Sequence, residues 1–305
     1  MAQQPFYPFK SEAAKAEYEA FSREQAKRWP EGTETRLVES DAGQTFVRIC
    51  GRASDPPLVL LPGARSGSLM WTNIIGELSA HSRCYAVDTI GDAGFSVIRR
   101  PFQKSEEFVT WLDEVFDQLF PQEQVNLMGV SFGGFIAAQY ALHRPERLKG
   151  VVLLAPANTV LPISKSFILR MSVLAVPLPG MGVRGMMRWI FQDAVHGDAE
   201  TREYVEQAID YTKMVLRLMD LPRPPWPPVI DDEGWRNFRA PCLFVVGENE
   251  KIYSANAAVA RLNRVAPQVK TEIIPGAGHD LTFVKPDLVV AKALGFLSAQ
   301  AQAAA

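Results

Sequence analysis

Six short runs of mostly apolar residues, at 58–61, 84–87, 125–130, 151–154, 242–246 and 270–274, recur along a chain of 305 residues. The last is the most polar, and the others lack the regular polar alternation of a half-exposed strand. A strand with water on one face alternates polar and apolar side chains, whereas a strand covered on both faces does not. The runs therefore predict a mostly parallel sheet packed between helices. Segments 105–120 and 132–142 lie between them with helical apolar spacing, and the second stops before Arg144-Pro145, where proline disfavours a continuing helix. Two β-like segments precede the first run, 35–39 and 44–50, and the Gly-containing link Ser40-Asp41-Ala42-Gly43 between them reads as a hairpin. Residues 11–28 are rich in helix formers, with Ser11 as N-cap and Trp29-Pro30-Glu31-Gly32 as the stop. The fold class is α/β: a doubly wound, mostly parallel sheet with an antiparallel start.

The alternation is interrupted once. Residues 160–236 hold six of the nine methionines and eight of the 22 prolines. Tyr204, Val205, Ala208, Tyr211, Val215, Leu218 and Met219 have helical spacing, and the proline-rich segment 221–228 is a stiff, extended connector. This reads as a mainly helical cap inserted into the core. The chain then divides into an N-terminal helical extension (1–33), a core (34–159 and 237–305) and the cap (160–236). Three placements are open to the extension: on the core, over the cap, or in a homodimer contact.

Composition narrows the function classes. Hydrophobic residues at 47% supply a buried core without any sign of disorder. A net charge of −2 and the lack of a basic run exclude a nucleic-acid partner. The apolar stretch 167–190 is broken by Arg170, Pro177, Pro179, Gly180, Gly182, Arg184 and Gly185, which fits a lid and not a membrane span. The N-terminal MAQQPFYPFK lacks an apolar h-region, so the expectation is a soluble, cytoplasmic protein. Cys50, Cys84 and Cys242, odd in number and without paired spacing, argue against a disulfide framework or a zinc site and suggest buried thiols.

The chemistry begins at Gly129-Val130-Ser131-Phe132-Gly133, a G-x-S-x-G that closes a strand and opens a helix. A serine on so sharp a turn needs small residues two before and two after it, so that strand and helix can approach. A serine hydroxyl also needs a base to take its proton. Of four histidines, His81 precedes a strand, His143 ends a helix and His196 lies in the cap, whereas His279 follows the last strand in Pro275-Gly276-Ala277-Gly278-His279-Asp280. Ligand sites of open α/β sheets gather at the strands' carboxyl ends, where such a loop presents its imidazole. The imidazole in turn needs an orienting carboxylate. Ala155-Pro156-Ala157-Asn158 offers none, and Gly247-Glu248-Asn249-Glu250-Lys251 offers Glu248 and Glu250. Backbone N–H donors for an oxyanion fall at Phe132, after the serine, and at Ala64 in the Gly-rich turn Pro62-Gly63-Ala64-Arg65-Ser66-Gly67.

Together these residues resemble the α/β-hydrolase superfamily, and within it the capped serine esterases that include bacterial carboxylesterases. The resemblance covers 34–159 and 237–298 and weakens in the cap. Leu60-Leu61-Pro62-Gly63 with Trp71 is similar to the family's oxyanion segment, with Pro62 where His is usual. Asp88 to Ser96 is similar to its Asp-x-x-Gly-x-Gly-x-Ser turn, whose Asp and Ser are structural. Gly247-Glu248-Asn249-Glu250 is similar to its Gly-Asp-x-Asp, whose second acid is catalytic, and so favours Glu250, with Glu in place of Asp. Ser131 in place of an aspartate nucleophile counts against a dehalogenase or an epoxide hydrolase. The resemblance implies cleavage of a carboxylic ester through an acyl-enzyme, without metal or cofactor, and the apolar cap suggests a largely hydrophobic small substrate. The alternatives are a lactone, an amide or a C–C bond at the same site, or a non-catalytic binder of small ligands, which would not need all three positions filled.

Overall fold

The structure, a computed structural model, describes residues 7–173 and 182–303. Pro177, Pro179 and Gly180 of the expected lid, and the first six residues of the N-terminal segment, lie outside the described residues. In chain order the first elements are α1 (Glu12–Ala26), β1 (Glu34–Ser40), β2 (Gly43–Cys50), β3 (Pro57–Leu61), α2 (Ile75–His81) and β4 (Arg83–Val87). They continue through β5 (Val97–Ile98), α3 (Glu106–Leu119), β6 (Val125–Val130), α4 (Phe132–His143) and β7 (Leu148–Leu154). Between β7 and the next strand come α5 (Lys165–Val173), α6 (Val183–Ile190), α7 (Gln192–Val195), α8 (Ala199–Leu218) and α9 (Asp232–Arg236). The chain closes with β8 (Cys242–Gly247), α10 (Ala255–Val265), β9 (Lys270–Ile274), α11 (Leu281–Val284) and α12 (Pro286–Ala303).

Among the described residues nine strands form one sheet in the order β1-β2-β4-β3-β6-β7-β8-β9, with β5 beside β2. From β4 to β9 every pairing is parallel, whereas β1, β2 and β5 pair antiparallel. The continuous apolar runs follow from burial on both sides. Val59 and Leu61 of β3 point into a core with Leu112 of α3 and Phe135 of α4, and the intervening Leu58 and Leu60 pack with Leu78 of α2 and Val290 of α12. All five residues of β3 and all six of β6 and β8 are buried. Ser40 pairs with Gly43, so the β1–β2 link is a two-residue turn at Asp41-Ala42, one pair tighter than the linking segment suggested. The three cysteines are free and buried, and β2–β4 register sets Cys50 directly opposite Cys84, remote from it in sequence.

Helices α5 to α8 are mounted on the sheet's carboxyl edge. Asn158 takes the Ile163 N–H at 2.9 Å and donates to the Pro227 carbonyl, joining both ends of the excursion. Arg261 binds the Ile230 carbonyl at 2.9 Å and Asp232 at 2.7 Å, and Ile230 and Trp235 sit within the core cluster. Ser11 caps α1 as its sequence predicts, accepting from the Ala14 N–H. The helix meets the core through Arg48 to Ser22 (2.6 Å) and α8 through the Tyr18–Tyr211 hydroxyl pair at 3.0 Å, and Trp29, just beyond it, donates to Thr72 at 2.9 Å. Among the described residues no helix is long and apolar enough to cross a membrane.

Candidate active site

Ser131 stands between β6 and α4 with φ 53° and ψ −115°. A non-glycine residue there stores roughly 1–3 kcal/mol of backbone strain. The fold holds it from both sides: the Ser131 N–H donates to the Leu154 carbonyl at 2.9 Å and its carbonyl accepts from Ala157 at 3.0 Å. A side chain at Gly129 would collide with the Gly133 carbonyl, and one at Gly133 with the Leu61 and Pro62 carbonyls. Glycine at both positions lets strand, helix and the turn after β3 meet. As the first residue of α4, Phe132 has an N–H with no intrahelical partner, and among the described residues it has no protein acceptor.

Two loops bring the base and the acid together. The loop after β9 packs on the end of β8, where a side chain at Gly247 would strike the Ala277 and Gly278 carbonyls. His279 in that loop lies with Nδ1 2.9 Å from Oε2 of Glu250, which follows β8. The Glu250 side chain is fully buried, and its other oxygen accepts the Lys251 and Ile252 N–H groups, each at 2.8 Å. Glu248 is exposed and accepts the Gly276 N–H at 3.0 Å, so it braces the histidine loop without touching the imidazole. Burial pulls the His279 pKa down, but the charge and hydrogen bond of Glu250, with the charge of Asp280, outweigh it and hold the pKa above its ordinary 6.5. The Nδ1 contact leaves Nε2 as the nitrogen available to a nucleophile.

Ser131 shares this carboxyl edge with His279, but among the described residues the two make no hydrogen bond. Such bonds often close only once substrate is bound. The Gly-rich turn after β3, where an oxyanion donor is expected, lies against the serine: a Cβ built at Gly63 would stand 3.6 Å from Ser131 Cβ. The N–H of Ala64 has no protein acceptor among the described residues, and so matches Phe132 as a second unspent donor. Asn158, at the alternative acid position after β7, is 4% exposed and serves the inserted segment instead.

Three contributors were not legible from the sequence. Asp280, fully buried, accepts the Gly278 N–H at 2.9 Å and the Ala194 N–H of α7 at 2.8 Å, tying the histidine loop to the inserted helices. Met70 Sδ accepts the Gly63 N–H at 3.0 Å, and Asp92 accepts the Arg65 N–H. Their signal is purely three-dimensional, since each partner is remote in sequence or belongs to the backbone. A cavity of about 360 Å³ adjoins the Gly-rich turn at Ser66 and is lined by Leu69 and Met70, by Met187, Phe191, Tyr211 and Met214 of the inserted helices, by Phe283 of α11 and by Phe21 of α1.

Comparison with known proteins agrees with this fold. The model of the Alpha/beta hydrolase family matches residues 58–293. The chain is 32% identical over 278 residues to an uncharacterized carboxylesterase, nap, of Bacillus subtilis, covering 89% of each chain. It is 29% identical to the carboxylesterase YbfK of the same organism, covering 88% of this chain and 89% of that one. The crystal structure of naproxen esterase (carboxylesterase NP) from Bacillus subtilis superposes with a TM-score of 0.83 at 29% identity, covering 94% of this chain and 99% of the other. The chain belongs to the α/β-hydrolase family.

Proposed function

We propose that the protein hydrolyses carboxylic esters through an acyl-enzyme intermediate. The buried contact between His279 and Glu250, on the sheet edge that also carries the strained Ser131, is the observation behind the mechanism. Relatives named as carboxylesterases over nearly the whole chain supply the bond type.

In this reading Ser131 Oγ attacks the ester carbonyl while Nε2 of His279 takes its proton. Glu250 fixes the tautomer through Nδ1 and stabilises the imidazolium. The Phe132 and Ala64 N–H groups receive the oxyanion, each contributing about 3 kcal/mol as such donors do. The imidazolium protonates the leaving alcohol, and water then attacks the acyl-enzyme by the same route to release the acid and restore Ser131. No step calls on a metal or cofactor. The cavity walls of Leu69, Met70, Met187, Phe191, Met214 and Phe283 suit a largely hydrophobic substrate arm, and thioether side chains adapt to several shapes. We take residues 160–236 as its cap. The cytoplasm is the compartment we propose, because three free thiols suit a reducing environment.

The test is a panel of acyl esters, amides and lactones of graded length, with Ser131→Ala as blank. Turnover of esters well above amides and lactones, lost in Ser131→Ala, is expected. Preference for another bond type would redirect the assignment, and equal rates in the blank would end it.

A further inference from the structure

The oxyanion turn is built from backbone alone, and a backbone donor is only as good as the turn that aims it. Around Ala64 the flanking N–H groups are both committed. That of Gly63 goes to Met70 Sδ at 3.0 Å, and that of Arg65 goes to both carboxylate oxygens of Asp92, at 3.1 and 3.0 Å. Four residues on from Ala64, the Ser68 N–H is held by Asp88 Oδ1 at 2.6 Å. Arg65 has φ 60°, a left-handed conformation that a residue with a Cβ rarely adopts without an external hold. Asp92 itself is fixed by the Ala93 N–H at 2.8 Å, and only 13% of its side chain is exposed. Burial raises its pKa against the pull of Arg65 and Ala93, so the chain keeps a carboxylate where an apolar residue would be easier to accommodate. The loop carries two residues, Asp92 and Ala93, between Gly91 and Gly94, one more than the Gly-x-Gly spacing it resembles.

We propose that Asp92 is a positioning residue for catalysis: by accepting the Arg65 N–H it locks the turn that leaves the Ala64 N–H aimed at the substrate oxyanion. The inference rests on the ester-hydrolase reading. Asp92 holds Arg65 and Ala93, and the donor it aims meets a charge that develops only in the transition state, so its effect belongs there and not to ground-state binding.

The experiment compares wild type, Asp92→Asn and Asp92→Ala on a p-nitrophenyl ester, normalised to sites counted by end-point fluorophosphonate labelling. In Asp92→Ala, kcat per labelled site falls roughly 10- to 100-fold with KM little changed, as for a displaced oxyanion donor. Asp92→Asn keeps one acceptor oxygen and recovers part of the loss. The inhibition constant of a trifluoromethyl ketone, which forms a tetrahedral adduct, rises by the same factor that kcat/KM falls. A merely structural role gives a different pattern: fewer labelled sites and a lower Tm, with kcat per site and ketone affinity unchanged in both variants. That pattern overturns the proposal while leaving the hydrolase reading intact. A wild type that neither labels nor turns over the ester removes both.

Discussion

At the scale of single residues, the site depends on how two loops share one buried imidazole. Glu250 spends one oxygen on its own loop and the other on His279, so replacing it removes a charge without freeing the fold to compensate. Glu250→Gln should lower kcat about 10³- to 10⁴-fold, the scale seen when the orienting acid of such a triad becomes an amide. Glu248→Gln, which touches only the Gly276 N–H, should leave kcat near wild type; the reverse ranking would exchange the two roles. The sign of the pH effect follows from the same contact. Glu250 raises the His279 pKa, so the neutral base is lost as pH falls through a value above 6.5, and the acid limb of kcat/KM should lie there. In Glu250→Gln that limb should move to lower pH, and a limb that stays put would separate the two groups. Gly133→Ala tests the elbow: its new methyl meets the Leu61 and Pro62 carbonyls, and we expect at least about 1–3 kcal/mol of destabilisation in denaturant unfolding, with loss of activity.

At the scale of elements, α1 and α8 act as one brace across the catalytic edge. Lys10 N–H donates to Leu218 at 2.9 Å, Glu17 pairs with both terminal nitrogens of Arg217, and Tyr18 meets Tyr211, whose ring lines the cavity. Tyr18→Phe removes one hydroxyl and leaves its partner without that bond, at a cost of about 1–3 kcal/mol by equilibrium unfolding. An unchanged stability would mean that the pair is satisfied otherwise. A helix held this way also explains which part of α8 was readable in advance. Val205, Val215 and Leu218 turn inward at helical spacing, as the sequence implies. The partners they turn toward include a helix some two hundred residues earlier, and no local pattern encodes that.

At the scale of the whole molecule, the legible part of the fold is the part built by burial on both faces of a parallel sheet. β6 and β9 fall on the apolar runs that predict them, and β3, β4, β7 and β8 extend them by one to three residues. β5, two residues long, pairs only at the β2 edge and leaves no periodic trace. The site divides in the same way. Ser131 and His279 are readable because an elbow and a glycine-rich loop constrain the backbone locally. Glu248 and Glu250 sit two residues apart on one loop; the family pattern favours the second, and its burial and contact with His279 separate it from its exposed neighbour. Asp92 and Asp280 work on backbone N–H groups, which carry no residue identity, so the sequence alone does not single them out. All of it converges on one hydroxyl. Intact-mass analysis after exposure to a fluorophosphonate probe tests that most directly: one adduct on the wild type and none on Ser131→Ala is the predicted result, and an unlabelled wild type, or a labelled Ser131→Ala, would contradict it.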